Sequence, residues 1–223
     1  MSTFNEQIER IKEKLVRAKA RDKKLKVFGA HQHGYFIGKP VEAQPVIEFE
    51  KEYNITLPES YRAFVTLIGS SGKSYADSAA GPFYGIYPFG KHIAEFVNEP
   101  EKYLSAPISF HSSMADDHWD KLVKELDTDD DLPDERRNEL TGKIYGGILP
   151  IGSQGCTYVH GLVLNGGDAG KVIYLDIDNR KPFMTFEDNF LDWYERWLDE
   201  ILSGKLLKSS ADWFAVTEST KGS

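Results

Sequence analysis

The stretch IEFEKEYNITLPESYRAFVTLIG, residues 47–69, decides the fold. Phe49, Glu50 and Tyr53 fall with Val46 on one helical row, and Tyr61, Phe64, Val65 and Ile68 fall on another, so the spacing predicts two helices that meet at Asn54. Pro58 belongs in the first turn of the second helix, where a missing amide hydrogen costs nothing. Gly69 suits a left-handed stop beyond that helix.

Upstream, Phe4, Ile8, Ile11, Leu15 and Ala18 recur at steps of three and four, which predicts a helix over residues 3–23 with one apolar stripe for docking. Residues 25–41 carry Gly29, Gly34, Gly38 and Pro40 among aromatic and β-branched residues and read as loop with a short strand. Downstream, residues 70–82 are rich in Ser, Gly and Ala and read as a mobile loop, followed by an aromatic strand over 83–89. Loops of this kind often carry function.

Residues 91–143 are the least regular part, with short helices expected at 117–126 and 133–140 around an acidic run. From Gly147 onward the pattern turns to β. Strands are expected at 148–151, 157–164 and 171–177, joined by turns at 152–155 and 165–170 into an antiparallel meander. A last helix over 187–202 places Phe190, Trp193, Tyr194, Trp197, Leu198 and Ile201 on one broad face, suited to cover the sheet. The fold class is therefore α+β: a central mixed or antiparallel sheet flanked by N-terminal helices and a C-terminal helix. Residues 1–205 read as one domain with an insertion at about 91–143, and residues 206–223 as an extension or tail.

Composition narrows the function. Hydrophobic residues make up 40% of the chain, including 13 Phe, 11 Tyr and 4 Trp, enough to bury a core. Its apolar runs fall far short of the ~20 residues that span a bilayer, and the N-terminus lacks the basic start and apolar centre of a secretory signal, so a cytoplasmic protein without a membrane partner is expected. Cys156 is the only cysteine, which excludes an internal disulfide and a cysteine-zinc cluster. The net charge of −8 opposes direct nucleic-acid binding and favours encounter with a basic partner.

The 47–69 stretch is similar to the core signature of the SUKH superfamily (Smi/Knr type), through Ile47, Phe49, Glu50, Tyr53, Ile55, Leu57, Pro58, Tyr61, Phe64, Gly69 and Gly72. GPFYGIYPFG at 81–90 resembles that family's first strand, GGILPIGSQG at 146–155 its following strand and turn, and FEDNFLDWYERWLDEIL at 186–202 its closing helix. The resemblance departs at Gly152, Ser153, Gln154 and Gly155, where the family carries an acidic-glycine phrase, and over 91–143. It implies an α+β fold without catalytic machinery or cofactor, in a family dominated in bacteria by immunity proteins that bind toxin domains, many of them nucleases. Fungal relatives regulate cell-wall synthesis.

Candidate contact residues follow from chemistry. Tyr75, Tyr84 and Tyr87, beside the Ser/Gly loop with Asp77, are candidates for exposed anchors. Asp127, Asp129, Asp130, Asp131, Asp134 and Glu135 read either as a contact for a basic partner or as a solvated loop. They are not a calcium loop, since Leu132 and Asn138 stand where Gly and Glu are required. His111 and His118 with Asp116 and Asp117 form at most a small metal cluster. His31 and His33, which alternate as strand neighbours do, lack a third ligand, and no metal site is assigned. Cys156 and His160 are too far apart along a strand for a nucleophile–base pair, and Cys156 reads as a small buried residue. The aromatic stripe of the last helix reads as core rather than as a ligand platform.

The reading that unites these features is an immunity protein, a monomer or weak dimer, that occludes a basic toxin domain through Tyr75, Asp77, Tyr84, Asp116, Asp117 and the acidic run. The alternatives are a regulatory adaptor of cell-wall or glucan synthesis and, with least support, a hydrolase.

Overall fold

The computed structural model describes residues 4–128 and 131–208. Its elements in chain order are α1 (Asn5–Arg21), α2 (Ala30–His33), α3 (Ala43–Glu52), α4 (Glu59–Leu67), a 3-10 turn (Tyr75–Asp77), α5 (Pro100–Tyr103), α6 (Asp116–Thr128), α7 (Asp134–Tyr145), β1 (Ile148–Gly155), β2 (Tyr158–Val163), β3 (Val172–Asp176), β4 (Phe183–Met184) and α8 (Phe190–Ser203). The class is α+β, with a four-stranded antiparallel sheet in the order β1-β2-β3-β4.

The junction of α3 and α4 explains the deciding stretch. Asn54 takes the left-handed conformation, φ 51°, that Asn tolerates at a helix end, and Ile55 N–H donates back to Glu50 O at 3.0 Å. The Glu50 carboxylate then joins the helices: Oε1 accepts the Leu57 N–H at 2.7 Å, and Oε2 pairs with Arg62. Gly69 serves differently from the expected left-handed stop. Its φ is 156°, and a Cβ there would lie 2.3 Å from Gly38 O, so the residue is glycine to let two backbone segments touch.

Period-two alternation gives the sheet two apolar faces. Leu149, Ile151, Leu162, Val172 and Tyr174 join a core built with α1, α3, α4 and α8, while Ile148, Val163, Ile173 and Leu175 join a second core with Tyr103, Trp119, Val123, Leu126, Leu140 and Ile144. Residues 91–143 thus supply the helical layer over the second sheet face, a role their weak periodicity did not announce. The helices expected at 117–126 and 133–140 are α6 and α7, each a few residues longer.

The aromatic face of α8 is core, as its spacing implied: Phe190, Trp193, Tyr194, Trp197, Leu198 and Ile201 are all buried. The Asn189 side chain caps the helix by accepting from the N–H groups of Leu191 and Asp192, and Gly204 at φ 85° ends it. Two polar tips find partners inside: Trp193 Nε1–H donates to Tyr174 OH at 2.9 Å, and Tyr194 OH donates to Ala80 O at 2.7 Å. Helix α1 runs parallel to α8, with Gln7 meeting Asp192 and Glu195, and Lys14 meeting Glu195 and Asp199.

Several local expectations are corrected. Residues 25–41 hold the one-turn helix α2 and no strand, so His31 and His33 do not share a strand face: two helical steps turn one outward and the other inward, and His31 is exposed while His33 is buried. The segment 83–89 is not a strand. Pro82 before it and Pro88 within it lack amide hydrogens, Phe83 and Gly85 have positive φ, and in place of a ladder the segment makes the bridge Ala79↔Ile86, two bonds to β1 and one from Phe89 N–H to Ser70 O. The turn expected at 152–155 lies inside β1, which continues through irregular pairings to Gly155, and the chain reverses at Cys156 and Thr157. Strand β4 was not anticipated.

Candidate functional site

The loop after α4, the exit of α2 and the β1–β2 turn enclose an open cleft of about 370 Å³, lined by Gln32, Tyr75, Tyr84, Ser153, Gly155 and Cys156. Each wall has a local cause. Tyr84 N–H donates to Ser153 O at 3.1 Å and Tyr87 N–H to Ile151 O at 2.8 Å, which lays residues 84–87 along the outer edge of β1. Ser74 Oγ–H donates to Tyr84 O at 2.9 Å and ties the 3-10 turn to the same segment. The Tyr84 ring then lies over Gly155, φ 92°, where a Cβ would come within 2.4 Å of Tyr84 Cε2. Phe28 packs against the Tyr84 ring at 5.4 Å between centroids.

Backbone strain concentrates here. Ala76, Asp77, Phe83 and Cys156, all non-glycine, hold φ between 51° and 55°, a region that costs of order 1 kcal/mol or more per residue unless the surroundings impose it. On the same 3-10 turn Tyr75 stands 62% exposed beside exposed Asp77.

Behind the cleft, His160 is fully buried among Phe83, Tyr174 and Trp193. The Gln154 amide reaches its Nδ1 at 3.2 Å, which leaves Nε2–H for Pro82 O at 3.4 Å. Burial pushes its pKa down to about 3, so the ring is neutral. His33 is held down to about 4 by the same desolvation, which outweighs the attraction of Asp22; its Nδ1 accepts the Tyr35 N–H at 3.0 Å. Both ring nitrogens of His160 are engaged away from Cys156, and the two residues form no nucleophile–base pair. Cys156 itself is exposed in the turn, a correction to its expected burial, because its left-handed conformation carries the side chain off the end of the sheet. The lining offers hydroxyl, amide, thiol and aromatic groups: a surface suited to contact and hydrogen bonding.

Tyr75 and Tyr84 therefore line one cleft, with Asp77 on the same turn as Tyr75. Tyr87 is no anchor: it is buried, and its OH donates to Glu95 at 3.1 Å. Asp116 and Asp117 open α6. Asp116 pairs with Lys181 at 2.5 Å, one residue past Arg180, whose guanidinium donates to Tyr158 OH at 2.8 Å just beyond the cleft turn. Asp117 pairs with Lys121 at 3.1 Å. Asp131, Asp134 and Glu135 are exposed beyond the far end of α6, roughly 18 Å away along a helix rising 1.5 Å per residue. Asp129 and Asp130 lie outside the described residues. Among the described residues no group of three or more His, Cys, Asp or Glu is placed to hold a metal.

Sequence reasoning missed Gln32, Ser153 and Phe28. The first two are polar residues without a motif, and Phe28 carried no sign of its 42% exposure.

A family model described as SMI1 / KNR4 family (SUKH-1) matches residues 40–196, from before α3 to the middle of α8 and through residues 91–143. No curated protein and no solved structure matches the chain.

Proposed function

The chain belongs to the SMI1 / KNR4 family (SUKH-1), and from that premise we propose that it is a non-catalytic immunity protein that binds a cognate toxin domain through the Tyr75–Tyr84 cleft and neutralises it by occlusion. The observation that carries this reading is Tyr75, a large aromatic left 62% exposed on a strained turn at the mouth of a cleft with uncharged walls. An amphipathic ring held in place loses little conformational entropy on binding, which is why Tyr recurs among interface anchors.

Charge supports the kind of partner. The chain carries −8 overall, Asp77 flanks the cleft, and Asp116 and Asp117 lie at the same end of the sheet. A basic toxin face would be steered toward this end. Occlusion requires no bond-making by this chain, and the neutral, fully bonded His160 behind the cleft serves packing.

Co-expression with the toxin encoded beside it should rescue growth, and the Tyr75→Ala/Tyr84→Ala double variant should lose about a hundredfold in affinity if the two rings act as anchors. Failure of the wild type to protect against any adjacent toxin candidate, with pull-down recovering enzymes of wall or glucan synthesis, would replace this reading with a regulatory adaptor. Substrate turnover abolished by one polar substitution would replace both.

A further inference from the structure

The densest run of basic residues in this acidic protein lies around the end of α1. Residues 12–26, KEKLVRAKARDKKLK, hold eight cations against two carboxylates. They form the last turns of α1 and its exit, N-terminal to the family-matched residues 40–196. Of the two carboxylates, Asp22 is buried and consumed internally: it accepts the Lys26 and Val27 N–H groups and the Tyr35 OH. Lys12 and Lys14 pair with Glu9, Glu195 and Asp199. Arg17, Lys19, Arg21, Lys23, Lys24 and Lys26 are all exposed and make no ion pair among the described residues. Lys19 and Arg21 suit the negative end of the helix dipole, but Lys23, Lys24 and Lys26 lie beyond the helix and have no such role.

Apolar side chains stand exposed among these cations. Val16 is 72% exposed on the outward face of α1, and Leu25 is held in a left-handed turn at φ 50° between Lys24 and Lys26. We propose that this surface is a peripheral docking site for an anionic lipid bilayer. Three features favour a bilayer over other polyanions. The cations are mostly lysines, point charges suited to a diffuse layer of headgroups rather than to paired recognition by guanidinium forks. Residues 16–28 contain no Ser, Thr, Asn or Gln with which to read bases. Val16 on the outer face of α1 and Leu25 beyond its end are exposed apolar side chains among these cations, and they can enter the headgroup boundary while the lysines meet phosphates. The net charge of −8 does not prevent this, because charges farther than a Debye length of ~10 Å are screened. No described helix is long and apolar enough to cross a membrane, so the contact is a surface one.

The test is co-sedimentation of the full chain with vesicles of phosphatidylcholine alone and with a third of that lipid replaced by phosphatidylserine. Binding is expected to the anionic vesicles only, and to fall as salt rises. Lys23→Gln/Lys24→Gln/Lys26→Gln should weaken it roughly a hundredfold, from about fivefold per cation removed. Val16→Ser/Leu25→Asn should weaken it while leaving its salt dependence in place. All five positions are exposed, so unchanged melting temperatures will show that the variants are folded. Equal binding to neutral vesicles, no binding to either, or retention of a single-stranded oligonucleotide in preference to vesicles would each overturn the proposal. Protection against a toxin rests on Tyr75 and Tyr84 and would survive that outcome.

Discussion

The Tyr84 ring rests on Gly155 so closely that a single added carbon would lie 2.4 Å from its Cε2. Gly155 also has φ 92°, which side-chain-bearing residues rarely adopt, so Gly155→Ala is strained twice. The β1–β2 turn is exposed and can yield, and the expected loss of stability is about 1 to 2 kcal/mol, with the fold retained. Tyr84 must swing out, and partner affinity should fall at least about tenfold, a loss of ~1.4 kcal/mol. Calorimetric titration against the partner and thermal melting check both. Unchanged affinity would remove Tyr84 from the binding surface.

Glu195 fixes α1 to α8. Its carboxylate accepts from Gln7 Nε2 at 2.9 Å, from Arg10 Nε at 3.1 Å and from Lys14 Nζ at 2.9 Å. Burial alone would raise its pKa, yet the donors from Arg10, Lys14 and Gln7 prevail and hold it below the usual value of 4.5. A carboxylate with a depressed folded-state pKa contributes stability fully above the unfolded value and loses it as pH falls through the folded one. Glu195→Gln should therefore cost about 1 to 2 kcal/mol near neutral pH, a figure reduced by the exposure of Arg10, and progressively less below about pH 4.5. Urea unfolding at several pH values measures it. A pH-independent difference would mean that packing, not charge, holds the two helices together.

What was legible in the sequence followed from periodicity. The α3–α4 junction, the apolar stripe of α1 and the aromatic face of α8 were readable because each buries one face of a regular element. The failures have equally physical causes. The segment 83–89 has the aromatic composition of a strand, but Pro88 within it, Pro82 before it and the positive φ values at Phe83 and Gly85 break the ladder. In 152–155 the glycines suggested a turn, while pairing with β2 carried the strand on to Gly155. Of the site, Tyr75 and Tyr84 were found by residue type. Their meeting with Gln32 and Ser153 depends on bonds between segments distant in sequence, which no local pattern encodes.

Trp119 tests whether the second helical layer is integral. Its side chain is buried, and its Nε1–H donates to Asn179 O at 2.8 Å, linking α6 to the turn after β3. Trp119→Ala removes a large core ring and leaves a cavity, an expected cost of about 3 to 5 kcal/mol. Because Ile148, Val163, Ile173 and Leu175 of the sheet pack into the same core, the loss should lower the midpoint of the whole unfolding transition as followed by tryptophan fluorescence and far-UV circular dichroism alike. Two separated transitions would show that residues 91–143 melt on their own.

The two buried histidines predict sensitivity to acid. His33 and His160 are neutral in the folded chain, with pKa values pushed down to about 4 and about 3 from 6.5. In the unfolded chain both take up a proton near pH 6.5, so the folded state binds fewer protons and its stability falls as pH drops below that value. Each imidazole contributes a slope that rises from about half of 1.4 kcal/mol per pH unit at pH 6.5 toward the full value below it, and two together remove about 3 kcal/mol between pH 6.5 and pH 5. A denaturant series over that range should show proton uptake on unfolding rising from about one at pH 6.5 to about two at pH 5, and the two ring signals should not titrate above pH 5 in the folded protein by NMR. If either ring titrates near pH 6.5 while the protein stays folded, its site admits water. For His160, that would mean the wall behind the cleft opens on its own.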